Sequence, residues 1–323
     1  MEYRNLAGTN IQLSAITFGT IAFASPQGRQ RGDTAEGKKA LHLALDMGVN
    51  CIHSSYEYGT RHVVREVLRD RKDAKSIRHI IKVPDPDKEL TDGKFKPDYF
   101  RQMVEDALRE MGVEHIHILQ WIIRDGTEYQ ADVHWQRFES YKDDARAIFE
   151  KMRDEGKVSV LGNFVYVNDY AEKAAAAGVL NCLLFYHNMW DTRILPTLEK
   201  LPERKMSALV LRPFQGGMLT TKRADWKALP PTDRWISEPW NKGVLAQRDQ
   251  LFAEAGIKDL GDLTRMAVKF SLTSPAVATV ITGMNTTEQV KEVLSAVDGS
   301  YLDAELARRL CDAAKKIGIK RRG

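Results

Sequence analysis

Short apolar, β-branched runs alternate with longer amphipathic stretches over almost the whole chain. AITFG (15–19), NCIHS (50–54), HIIKV (79–83), HIHILQW (115–121), VSVLG (158–162), NCLLF (181–185), ALVLR (208–212) and ATVIT (278–282) read as strands. Between them lie helical patterns such as AEGKKALHLALDMG, PDYFRQMVEDALREMG, KDDARAIFEKMRDEG and GDLTRMAVKFSL. In the second of these, Phe100, Met103, Val104, Ala107, Leu108 and Met111 recur at i, i+3, i+4 spacing, one apolar face of a helix. DMGVN, EMGVE, DEGKV and AAGVL each put a glycine where a helix stops and a strand begins.

Eight strands, each followed by a crossover helix, predict a parallel sheet, and a closed (β/α)8 TIM barrel is its simplest form at this length. A doubly wound sheet is the alternative, but no GxGxxG follows the first strand. MEYRNLAGTNIQLS reads as a hairpin turning at Gly8–Thr9 that caps the barrel bottom. Two longer loops are expected after the fourth and seventh strands, at roughly 123–140 and 220–245. No repeat or linker divides residues 1–323, so one domain is expected.

Composition narrows the picture modestly. Of 323 residues 43% are hydrophobic, ample for a buried core, and 48 Lys+Arg against 44 Asp+Glu leave a diffuse net charge of +4. The basic end KKIGIKRRG reads as a solvated helix terminus rather than a nucleic-acid or membrane patch. No apolar stretch approaches 18 residues, and the N-terminus lacks a signal-peptide core. Cys51, Cys182 and Cys311 form no CxxC, which suits buried thiols in a reducing cytoplasm and no metal site.

In a barrel, chemistry sits where strands run into their following loops. Those ends, in order, resemble the aldo-keto reductase superfamily over nearly the whole chain. YRNLAGTNIQLSAITFGT resembles its opening hairpin and first strand, and GVNCIHSSYEYG its G-[IV]-N-x-[IF]-D-T-A-x-x-Y-G motif. HIIKVP matches the third-strand lysine segment and GKVSVLGNF the fifth-strand segment. RPFQGGMLT and ITGMNTTEQVKEVL match the cofactor segments of the seventh and eighth strands.

The resemblance implies reversible hydride transfer between NADPH, or less often NADH, and a carbonyl on a small molecule. An Asp, Tyr, Lys and His tetrad serves that reaction. Tyrosine is the proton donor, and a lysine ammonium makes it a better acid. Carried over, Tyr58 takes the tyrosine position and Lys82 the lysine position, while His53 replaces the aspartate. The histidine position falls on Ile122, or on Trp121 after a one-residue shift.

Cofactor positions are partly kept. Gly19, Thr20, the Arg212–Pro213 corner, Gly216, Gly217, Gly283, Gln289 and Glu292 match, and the glycines allow a phosphate to approach the chain. The carboxamide contacts fall on Phe164, Val165 and Leu184, the 2′-phosphate arginine is absent at Met284 and Asn285, and Val293 replaces the usual asparagine. Thr286-x-x-Gln289 also reads as a helix capping box. Trp121 and Trp235 are the candidate substrate contacts, with Trp226 and Trp240 on the same loop as Trp235.

His53 has two readings: a buried histidine filling the aspartate's space, or an acid/base with a pKa near 6.5. Loss of the anion at position 53 predicts a lowered lysine pKa. Three functions stay open: an NAD(P)H oxidoreductase with an altered tetrad; a redox-neutral lyase, dehydratase or isomerase using His53, Tyr58 and Lys82; and a non-catalytic sensor or partner subunit. In each, the partner is a small molecule or another subunit, not nucleic acid or membrane.

Overall fold

The computed structural model describes residues 1–23, 34–84, 94–123, 127, 130–233 and 235–318. The eight apolar runs are all strands, with ends shifted by at most two residues: β3 (Ile16–Gly19), β4 (Cys51–Ser55), β5 (Arg78–Pro84), β6 (Ile116–Ile122), β7 (Val158–Phe164), β8 (Cys182–Tyr186), β9 (Ser207–Leu211) and β10 (Val277–Thr282). They pair in parallel in chain order, and β10 returns to β3 to close the barrel. Along each strand alternate side chains face the lumen and the helices. Cys51, Ile80, Ile118, Val160, Cys182 and Leu209 fill the lumen, while Ile52, Ile81, Leu119, Leu161, Leu183 and Ala208 join the outer layer between sheet and helices.

The hairpin β1 (Tyr3–Asn5) and β2 (Gln12–Ser14) is antiparallel and turns at Gly8. Its Leu6 and Leu13 pack into the lumen cluster, so it plugs the end where the strands begin. Arg4 fixes the hairpin there by donating to the carbonyls of Val277 at 2.8 Å and Leu272 at 3.0 Å. With that end closed, the opposite mouth is left for a site.

The described helices are α1 (Thr34–Asp46), α2 (Arg61–Arg69), α3 (Pro97–Met111), α4 (Ala131–Asp154), α5 (Asn168–Ala176), α6 (Leu195–Lys200), α7 (Pro239–Glu254), α8 (Leu263–Leu272), α9 (Thr287–Ser295) and α10 (Ala304–Ile317). In α3, Pro97 opens the helix, Gly112 closes it at φ 67°, and Phe100, Val104, Ala107 and Met111 form the buried face. No helix among the described residues is long and apolar enough to cross a membrane.

The long loop after the seventh barrel strand is present, from β9 to α7, while the loop after the fourth is shorter than expected. Helix α4 begins at Ala131, so the second half of 123–140 is helical; residues 124–126, 128 and 129 lie outside the described ones. The 220–245 segment carries two short 3-10 turns, Thr221–Arg223 and Trp226–Ala228, and enters α7 at Pro239. Arg223 and Asp233 staple this segment through a buried bidentate ion pair at 2.8 and 3.1 Å.

Candidate active site at the barrel mouth

Strand β4 delivers His53 to the lumen and then turns. Ser55 Oγ accepts from the Glu57 amide at 3.4 Å, a 3-10 turn covers Tyr56–Tyr58, and Gly59 ends it at φ 63°, a conformation glycine adopts without strain. The turn presents Glu57 and Tyr58 together beside Lys82 of the neighbouring strand. Lys82 Nζ lies 5.1 Å from the centroid of the Tyr58 ring and donates to Glu57 Oε2 at 2.6 Å. Tyr58 and Lys82 are both buried. Loss of the aspartate at position 53 leaves the lysine without the expected anion, and Glu57 supplies one from the following turn.

His53 Nε2 is hydrogen-bonded to Gln120 Oε1 at 2.8 Å, across the intervening strand β5. The histidine is buried, and burial, aided by the Lys82 charge, pushes its pKa down to about 4. It is therefore neutral at neutral pH. Burial and the bond to Gln120 weigh against His53 as an acid/base titrating near 6.5 and favour a buried lumen residue bonded to an amide. Its ring stands edge-on to Tyr58, centroids 6.2 Å apart.

Trp121 does not face this space. It is fully buried in the outer layer, stacked on Phe138 at 5.2 Å and edge-on to Phe95 and Phe100, so its assignment as a substrate contact is corrected. Its neighbour Ile122 belongs to the lumen cluster, which settles the one-residue ambiguity in favour of Ile122. Phe164 and Leu184 also face the lumen, whereas Val165 packs outward.

The far wall of the mouth is aromatic and ends in a cation. Phe164 meets Tyr166 and Tyr186 edge-on at 4.8 and 5.0 Å, and the Arg212 guanidinium lies over Tyr186 at 4.1 Å. Arg212 holds φ 58° and Gln215 φ 44°, left-handed values uncommon for residues with a side chain; Gly216 and Gly217 follow at 67° and 94°. Asn188 Nδ2 steadies the bend by donating to the Arg212 carbonyl at 2.8 Å and to Gln215 Oε1 at 3.2 Å. Trp235 donates its indole N–H to the Gly216 carbonyl at 3.2 Å, tying the stapled segment to the glycine turn. Trp226 instead donates to Asp249 on α7 at 2.7 Å, and Trp240 is exposed.

Other expected phosphate contacts have structural duties. A Cβ on Gly19 would meet the Thr282 carbonyl at 3.2 Å, so this glycine serves the close approach of β3 and β10. Thr20 is buried, donating to the His53 carbonyl at 3.2 Å and accepting from Thr60 at 3.1 Å. Thr286 Oγ1 caps α9 by accepting from the Gln289 amide at 3.3 Å, and Gln289 Oε1 reaches back to the Asn285 amide, one residue before the cap, at 2.7 Å. Glu292 is exposed on that helix; Gly283 lies between β10 and α9, and Pro213 is buried beside Arg212.

Burial raises the thiols of Cys51 and Cys182 to about 12, so neither is a nucleophile. Among the described residues no group of three His, Cys, Asp or Glu side chains could hold a metal ion. Sequence reading missed Glu57, Gln120, Tyr186 and Asn188. Gln120 and Tyr186 share parity with the lumen residues 118, 122, 182 and 184, but these strands are apolar on both faces, so which face is inward is set only by the fold.

The sequence model described as "Aldo/keto reductase family" matches residues 15–314. L-galactose dehydrogenase of Arabidopsis thaliana is 23% identical, over 92% of this chain and 88% of its own length. Among solved structures, aldo-keto reductase AKR11C1 from Bacillus halodurans in its holo form superimposes with a TM-score of 0.73 at 20% identity, covering 97% of this chain and 96% of that one. Glycerol dehydrogenase AKR11B4 from Gluconobacter oxydans gives 0.71 at 20% identity, covering 99% and 97%.

Proposed function

The chain belongs to the aldo/keto reductase family, and from that premise we propose that it is an oxidoreductase interconverting a carbonyl and an alcohol on a small molecule, with NADPH or NADH as the redox partner. The observation that carries the reading is the Lys82 ammonium beside the Tyr58 ring at the open end of the barrel.

The residues present fit a dinucleotide unevenly. At the phosphate end, Arg212 is an exposed planar cation able to make two oxyanion bonds, and Gly216 in the left-handed turn is exposed. Gly283 and the N-terminus of α9 lie after the next strand, where barrels commonly bind phosphate. At the nicotinamide end the polar contacts have become Phe164 and Leu184, so a ring there meets an apolar and aromatic wall that includes Tyr186. When bound, the cofactor supplies or accepts the hydride.

The chain's own part is proton transfer and positioning. Tyr58 donates its phenolic proton to the carbonyl oxygen as that oxygen gains charge, and takes it back in the reverse direction. A tyrosine with pKa near 10 is a weak acid at pH 7, and the adjacent ammonium stabilises the tyrosinate left behind. Ile122, Phe164 and Leu184 make the lumen apolar, and a low-dielectric surrounding strengthens such electrostatic help. The redox-neutral alternative relied on His53 as a working acid/base, and its burial and lowered pKa weigh against it.

The test is a paired measurement on purified protein. Quenching of its tryptophan fluorescence by NADPH or NADH, together with oxidation of that nucleotide by p-nitrobenzaldehyde, is expected. Absence of both effects would remove the oxidoreductase reading.

A further inference from the structure

We propose that Glu57 is the positioning carboxylate of this site: it orients Lys82 and keeps it charged, a task the family gives to an aspartate at position 53. The inference rests on the reading that Tyr58 and Lys82 carry the proton chemistry, and it adds a residue to which no resemblance points.

Three features support it. First, Glu57 is held at both oxygens: Oε2 accepts from Lys82 Nζ at 2.6 Å, and Oε1 accepts from the Tyr56 hydroxyl at 3.2 Å. The two charged side chains are only 10% and 19% exposed, so solvent screens the pair weakly. A carboxylate in that position favours the ammonium over the amine, the sign needed for support of a tyrosinate.

Second, the backbone fixes Glu57 in register with Tyr58. Ser55 caps the 3-10 turn that carries both residues, and Gly59 closes it. The anion and the acid thus move as one unit, with Lys82 reaching them from β5. Third, His53 does not compete for the lysine. Its ring nitrogen is committed to Gln120, and it is neutral where the enzyme would work. An aspartate at position 53 in addition to Glu57 would set two carboxylates around one ammonium. The histidine substitution is therefore matched by the glutamate four residues later.

A residue acting through Lys82 must alter how Lys82 titrates, which a merely structural residue would not. The experiment compares wild type, Glu57→Gln, Glu57→Asp and the double variant His53→Asp/Glu57→Gln in the full chain. Lys82 is followed by NMR after reductive 13C-methylation, and turnover of p-nitrobenzaldehyde with NADPH or NADH is followed against pH. Glu57→Gln is expected to lower the Lys82 midpoint by a unit or more, reduce kcat at least tenfold, and move the alkaline limb of the pH profile down. Glu57→Asp should recover most of both, and the double variant should recover part by restoring an anion at position 53. An unchanged Lys82 midpoint in Glu57→Gln overturns the proposal, as does a double variant no better than the single one with its lysine still depressed. Should wild type neither bind nor consume either nucleotide, the oxidoreductase reading fails, while the lysine titration still decides the role of Glu57.

Discussion

His53 Nε2 and Gln120 Oε1 lie 2.8 Å apart, joined across the lumen from β4 to β6 over the strand that carries Lys82. An amide oxygen only accepts, so Nε2 carries the proton and the ring donates. At the position where the family places an anion, this chain has a neutral donor already in use. On the proposed function, carbonyl reduction would depend on the Tyr58 turn and on Lys82, and the chain's behaviour can be tested on those terms.

Tyr58→Phe removes the proposed proton donor but keeps the ring against which Lys82 lies. Carbonyl reduction should fall by roughly 100-fold or more, the range typical of losing a general acid. Nucleotide binding, read by tryptophan quenching, should change less than twofold. Retention of full turnover by the variant would exclude Tyr58 as the acid.

Acid should weaken the fold through its buried histidines. His53, His79 and His187 are each held down to about 4, chiefly by burial. Between pH 6.5 and 4 the unfolded chain binds these protons and the folded chain does not. Stability is thus fully present above pH 6.5 and is lost as pH falls towards 4, by on the order of 1 kcal/mol per unit for each group. Urea midpoints at pH 7 and pH 5 measure this, and His79→Gln should flatten the slope. Equal midpoints at the two values would contradict the assignment.

Trp121→Phe separates core from substrate wall. The indole stacks on Phe138 in the layer outside the barrel, so the smaller ring should cost about 1–3 kcal/mol by leaving a cavity. KM for a carbonyl substrate should stay within twofold of wild type, whereas a large change in KM at unchanged stability would return Trp121 to the substrate wall.

Trp235→Phe removes the indole donor to the Gly216 carbonyl and leaves the ring to pack. A single neutral hydrogen bond contributes about 1 kcal/mol, so nucleotide affinity should drop about fivefold with little change in thermal stability. Titration of NADPH by fluorescence quenching reads the loss. Unaltered affinity would count against a nucleotide site at the Gly216 turn that depends on the stapled segment.

The sequence by itself determined the eight strands, the glycine-ended helices, the hairpin turning at Gly8, and the place of Tyr58 and Lys82 at neighbouring strand ends. Those features are local or follow chain order, because hydrophobic period and turn chemistry act over a few residues. What only the tertiary structure decided concerns direction and depth. ILQWII is apolar on both faces, as a parallel strand covered on both sides must be, so no pattern in it tells Trp121 from Ile122. Register with β5 and β7 fixed that parity, sending the indole outward and the isoleucine into the lumen. The anion beside Lys82 likewise came from the turn after β4, whose capped geometry folds Glu57 back onto β5. Burial then set the histidine's charge state, since the cost of ionising His53 depends on how much water the closed barrel leaves around it.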